Sequence, residues 1–170
     1  ALNFEATPTF TLTVKVQDNG TGTLSSQANI TINLTDANEA PLIANQTFSI
    51  AENSANGTSV GTVAASDPDA GQTLAYSILS GNTGSAFAIN ASTGALTVAT
   101  SSVLNFEANP TFTLTVKVQD NGTGALSSQA TVTVSLTNVN EAPIIANQAF
   151  SIAENSANGT SVGTVAASDP

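Results

Sequence analysis

Thr111-Phe112-Thr113-Leu114-Thr115-Val116-Lys117-Val118-Gln119-Asp120 is the stretch that decides the fold. Phe112, Leu114, Val116 and Val118 alternate with Thr113, Thr115 and Lys117. A side-chain period of two belongs to a β-strand with one face in a core and the other in water. A helix, turning about 100° per residue, would scatter the four apolar side chains around its circumference. The run stops at Asp120-Asn121-Gly122, residue types that form turns because they bond their own backbone or tolerate left-handed conformations.

Working outward, the same alternation recurs in shorter form. It appears in Phe48-Ser49-Ile50, in residues 60–65, at Leu74, Tyr76 and Ile78, at Phe87 and Ile89, at Leu96 and Val98, and at Val132, Val134 and Leu136. Turn signals separate these runs: Asn56-Gly57, Asp69-Ala70-Gly71, Ser80-Gly81-Asn82 and Ser92-Thr93-Gly94. Seven short strands in about 100 residues, with no helical period, predict an all-β fold, a seven-stranded antiparallel Greek-key sandwich of immunoglobulin-like build.

The unit is repeated. Leu2-Asn3-Phe4-Glu5 returns as Leu104-Asn105-Phe106-Glu107, and the match runs on at a shift of 102 residues with ten substitutions in 67 positions. A period of that size is a whole domain rather than a solenoid turn. The expected organisation is the C-terminal part of one repeat (1–39), a complete repeat (40–141) and the N-terminal part of a further one (142–170), a section of a longer tandem array.

Charge is placed with unusual economy. The 170 residues hold 12 carboxylates and two lysines, Lys15 and Lys117, for a net charge of −10. None of the carboxylates lies inside a strand-like run; outward faces carry Thr, Ser, Asn and Gln instead. Following the strands alternately down and up puts Glu52, Glu107 and Glu141 at the bottom of the complete repeat, and Asp67, Asp69 and Asp120 at its top. In a tandem array the bottom of one repeat meets the top of the next across the segment Thr35-Asp36-Ala37-Asn38-Glu39-Ala40-Pro41. Carboxylates of two domains therefore converge on one junction. Each close pair costs about 1 kcal/mol or more even in a water-like dielectric, and no internal cation offsets it. A hard divalent ion with oxygen ligands would convert this repulsion into a bridge. The expected ligands at the first junction are Glu5, Asp36, Asn38 (through its backbone carbonyl), Glu39, Asp67, Asp69 and Asp120. The second junction offers Glu52, Glu107, Asn140, Glu141 and Asp169.

Five of these segments, in this order and at domain-scale spacing, resemble the cadherin repeat. Ala51-Glu52-Asn53 resembles its first-strand glutamate motif, Asp67-Pro68-Asp69 its Asp-x-Asp, Leu104-Asn105-Phe106-Glu107 its Leu-Asp-Arg-Glu, and Val118-Gln119-Asp120 its Ala-x-Asp. Asp36-Ala37-Asn38-Glu39-Ala40-Pro41 resembles its linker. The resemblance implies a cadherin-like sandwich with Ca²⁺ held between domains. Near-identical copies, low charge and richness in Thr, Ala and Asn make the chain similar to the cadherin-like arrays of large bacterial surface or secreted adhesins. Three departures from the family pattern concern the ligands: Asn3 and Asn105 replace its first Asp in the Leu-Asp-Arg-Glu motif, Glu39 and Glu141 replace the linker's second Asp, and Asn138 replaces the linker's first Asp.

Composition closes off other functions. The chain lacks Cys, Met, Trp and His, and its single Tyr lies in a predicted strand, so paired carboxylates have no aromatic platform or cationic clamp with which to form a substrate cleft. An enzyme is not expected. Acidity argues against nucleic acid, and no apolar run is long enough for direct membrane insertion. The expected partners are neighbouring repeats of the same chain, with a cell-surface protein or carbohydrate engaged through other domains. The expected setting is extracellular, at the cell surface or secreted. The reading is a calcium-binding structural and adhesive repeat that stiffens a rod presenting a terminal adhesion domain. The alternative is a ligand-recognition module for a carbohydrate or a partner protein, homophilic or heterophilic.

Overall fold

A computed structural model describes residues 1–170. Between residues 9 and 137 the alternating, threonine-rich runs are strands: β1 (Thr9–Gln17), β2 (Ser25–Asn33), β3 (Leu42–Ile43), β4 (Gln46–Ala51), β5 (Ser59–Thr62), β6 (Ala65–Ser66), β7 (Ala75–Ser80), β8 (Phe87–Ile89), β9 (Ala95–Val98), β10 (Thr111–Gln119) and β11 (Ser127–Thr137). Two single 3₁₀ turns, Thr83–Ser85 and Ser101–Val103, are the only helical pieces.

Strands β4 to β11 build the sandwich. One sheet has the order β4-β11-β10-β7 and the other the order β5-β9-β8, with strands distant in sequence lying side by side as in a Greek key. The deciding run supplies the centre of the larger sheet. Phe112, Leu114, Val116 and Val118 are all buried, as are Val132 and Val134 on the neighbouring strand and Leu96 across the core. Phe87 meets Phe112 edge to face, with ring centroids 5.1 Å apart, an arrangement that favours the positive edge of one ring against the negative face of the other.

Two details depart from the sequence expectation. Every named pairing is antiparallel except one: β4 runs parallel to β11, in the register Val132↔Gln46 to Thr137↔Ala51. An odd number of reversals between first and last strand would make them antiparallel; here the count is even, so closing the sheet with the first strand beside the last requires parallel pairing. The single strand expected over residues 60–65 is broken in two. The Gln46 side chain accepts from the Ala64 amide (2.9 Å) and donates to the Ala64 carbonyl (2.9 Å), taking the place of a strand partner there. The chain then switches to pair β6 with β3 rather than β9.

The flanks show what packing adds to local sequence. β1 and β2 pair in the register Thr9↔Asn33 to Gln17↔Ser25, matching β10 and β11 residue for residue. Yet Leu12 and Val14 are each 49% exposed while their counterparts Leu114 and Val116 are fully buried, because no second sheet covers the hairpin. Residues 142–170 form one bridge, Ile144↔Ser168. Native-state hydrogen exchange tests the expected division: amides of β10 and β11 should exchange at least about a thousandfold more slowly than those of β1 and β2. Equal protection in the two hairpins would mean that residues 1–39 fold without the sandwich strands.

Candidate metal centre

The linker after β2 lays Asp36 and Glu39 against the turn between β6 and β7, and the turn before β1 brings in Glu5. One carboxylate oxygen from each of Glu5, Asp36, Glu39 and Asp69 lies within 4.8 Å of the others. Asp69 is only 6% exposed. Its Oδ2 accepts from the Glu39 amide (3.0 Å) and from Gln72 Nε2 (2.8 Å), while its own amide donates to Asp67 Oδ1 (3.0 Å). The remaining oxygens have nothing. Asp69 Oδ1, Asp67 Oδ2 and Glu39 Oε2 are shielded from solvent and have no hydrogen-bond partner, and neither has the amide oxygen of Gln72.

An unpartnered buried carboxylate oxygen loses hydration without compensation. Three of them around one linker make an oxygen-only donor set, the chemistry a hard divalent cation requires. The titration of Glu39 points the same way: burial first, then the charges of Glu5, Asp69 and Asp36, raise its pKa above the usual carboxylate range. An open cleft of about 420 Å³ lies beside this cluster, lined by Asp36, Asn38, Asp69, Gln72, Asn121 and Gly122 among others.

Asp120 is placed differently. It is 5% exposed, its Oδ1 accepts from the amides of Gly122 (3.1 Å) and Leu126 (3.0 Å), and its Oδ2 accepts from Asn38 Nδ2 (3.1 Å). It therefore joins the junction through Asn38 rather than among the four clustered carboxylates. Asn38, expected to act through its backbone carbonyl, has its side chain engaged at both ends, for its Oδ1 accepts from Gln72 Nε2 (2.6 Å). Gln72 was not among the sequence candidates. A glutamine after an Asp-Ala-Gly turn is unremarkable in sequence, and only the fold shows it reaching the linker.

At the opposite end Glu52, Glu107 and Glu141 form a second cluster, again with one oxygen each within 4.8 Å. Its oxygens are better satisfied. Glu52 is 2% exposed and accepts from the Phe106 amide on Oε2 (2.7 Å) and from the Val139 amide on Oε1 (2.8 Å). These two amides, in that order, lower its pKa below the usual range, against the effect of burial. Glu107 Oε1 accepts from Asn138 Nδ2 (2.8 Å), and Glu141 Oε1 from Asn53 Nδ2 (2.7 Å). Asn140 is exposed and donates only to the Glu141 carbonyl (3.3 Å). Asp169 stands exposed beside the Ile144–Ser168 bridge, outside the cluster.

Comparison with known proteins places this geometry. The family described as Cadherin domain matches residues 46–137. Human protocadherin Fat 1 is 34% identical over 157 residues, covering 89% of this chain and 3% of that protein. The Drosophila melanogaster protein dachsous is 36% identical over 179 residues, covering 99% of this chain and 5% of that protein. Among solved structures, protocadherin gamma B7 extracellular cadherin domains 1-4 superimpose with a TM-score of 0.72 at 28% identity, over 95% of this chain and 40% of that one. Mouse cadherin-23 EC22-24 gives 0.70 at 27% identity, over 99% of this chain and 56% of that one. The chain thus spans only a few per cent of the length of these curated relatives. All four are animal-type cadherins, and they lend no support to the expected kinship with bacterial adhesins. The matched segment runs from the first residue of β4 to the last of β11, the whole sandwich between the two carboxylate clusters, and the chain belongs to the cadherin family.

Proposed function

We propose that this chain is a calcium-binding structural and adhesive repeat whose inter-repeat ions fix one sandwich against the next, making an extracellular rod that presents a terminal adhesion domain. The observation that carries the reading is the trio of shielded, unpartnered oxygens on Glu39, Asp67 and Asp69. They stand where a linker meets the top of a sandwich, and Glu39 and Asp69 lie within reach of Glu5 from the preceding repeat. Glu5, Asp36, Glu39, Asp67 and Asp69 would hold the ion at this junction. Ca²⁺ supplies the positive charge that the chain, with two lysines to 12 carboxylates, does not. An affinity of about 10⁻⁴ M is appropriate to such extracellular modules. The partners on this reading are the neighbouring repeats, and a cell-surface protein or carbohydrate is met by other domains. The near-identity of the two copies favours a large surface array, in which reach depends on repeat number. No helix of the chain is long and apolar enough to cross a membrane.

Small-angle scattering of a protein holding two intact repeats tests the stiffening. Its maximum dimension should be longer and its distribution narrower with Ca²⁺ than with chelator. Identical profiles in the two conditions would refute the rod.

The two junctions should differ. Asn138 occupies the position of Asp36 in the repeat and donates a hydrogen bond to Glu107, where the first junction sets two carboxylates, Asp36 and Glu5, together. In a chain extended through the next repeat, Asn138→Asp should raise Ca²⁺ affinity at the second junction by up to about tenfold, the effect of one added anionic ligand in a partly screened site. A lower or unchanged affinity by calorimetry would contradict this assignment.

A further inference from the structure

We propose that Gln72 is a built-in clamp that holds the linker on the complete repeat without metal, its amide group bridging Asn38 and Asp69. The inference rests on the junction reading above but concerns its metal-free state. Gln72 Nε2 donates at once to Asn38 Oδ1 (2.6 Å) and Asp69 Oδ2 (2.8 Å). Asn38 Nδ2 passes the connection on to Asp120 Oδ2 (3.1 Å), whose other oxygen is fixed by two amides of the loop after β10. Two neutral amides, those of Gln72 and Asn38, thus tie the linker to two separate loops of the sandwich. The oxygens of the junction are therefore unevenly satisfied. Asn38 Oδ1 and both Asp120 oxygens accept from amide donors, whereas Gln72 Oε1 and the shielded oxygens of Glu39, Asp67 and Asp69 have no partner.

A second observation supports the clamp independently. A Cβ at Gly122 would overlap the Asn38 carboxamide and lie 2.7 Å from Gln72 Nε2. Its backbone is not left-handed, so nothing else there demands glycine. The counterpart in the preceding copy, Gly20, faces no linker, and a Cβ there would meet only the Asp18 carboxylate, at 3.7 Å. The same loop sequence is therefore sterically permissive where the clamp is absent and restrictive where it is present.

The Glu39 amide reports on the clamp, because it donates to Asp69 Oδ2, the oxygen that Gln72 also holds. In the 170-residue chain with chelator, Gln72→Leu and Gly122→Ala should each speed exchange of the Glu39 amide by about tenfold, the size expected when support for a hydrogen bond to a charged acceptor is lost. Gly20→Ala should leave it unchanged, and amides of Leu114 and Val116 should stay protected in all three. Unchanged Glu39 exchange in Gln72→Leu and Gly122→Ala overturns the clamp, and so does a general loss of protection that reaches Leu114 and Val116. Because the comparison is made without Ca²⁺, it stands even if the junction binds no ion. Adding Ca²⁺ to Gln72→Leu should restore Glu39 protection; failure to do so would count against the metal reading alone.

Discussion

Asp69→Asn should lower the Ca²⁺ affinity of the junction before Pro41 by about a hundredfold while leaving the sandwich folded. Asp69 is the one buried member of the four-carboxylate cluster, and its Oδ1 has no partner inside the protein. Charge interactions at a partly buried site are several times stronger than in water, so this carboxylate carries a larger share of the attraction than exposed Glu5 or Asp36. Asparagine keeps one acceptor for the Glu39 amide and Gln72, which preserves the local hydrogen bonds while removing the charge. Calorimetry reads the change directly, and an unaltered titration would remove Asp69 from the ligand set.

Glu52→Ala should lower the Tm of the sandwich by roughly 10 °C or more, measured in chelator, because it strands the amides of Phe106 and Val139. This is a structural role, separate from metal ligation. Glu52 closes the lower end by joining the end of β4 to the segment before β10 and to the segment after β11. Glu52→Gln, with one acceptor oxygen left, should fall between. Sign follows from the depressed pKa. The stabilisation from the charged form is complete above the ordinary carboxylate value near 4.5 and is lost as pH falls through the lower folded value. The gap between the wild type and Glu52→Gln should therefore be widest near neutrality and shrink in strong acid. A Tm unchanged by Glu52→Ala would show that water satisfies both amides.

The strands were legible because burial on one face writes a period of two into the sequence. Phe112 to Val118 is the clearest case, and six of the seven expected runs became single strands, the run over 60–65 splitting into β5 and β6. What alternation does not encode is the partner. The parallel pairing of β4 with β11 follows from sheet closure, and the switch from β5 to β6 depends on the Gln46 side chain, 18 residues away from Ala64. The carboxylates could be assigned to one end or the other by counting reversals, and the structure gathers Glu5, Asp36, Glu39 and Asp69 at one end and Glu52, Glu107 and Glu141 at the other. Counting could not tell which oxygens were already spoken for. Asp120 is satisfied by three donors and Glu52 by two, whereas Asp69 keeps one oxygen free. Gln72 had no signature at all, since a neutral amide acquires its role only from two acceptors brought together by the fold.

The central claim is that an ion occupies the junction formed by Glu5, Asp36, Glu39, Asp67 and Asp69. Calorimetric titration of a protein in which residues 36–41 join two intact repeats tests it most directly. The account predicts saturable Ca²⁺ binding with a Kd of about 10⁻⁴ M that is lost with Asp69→Asn. No binding at millimolar Ca²⁺ would contradict it.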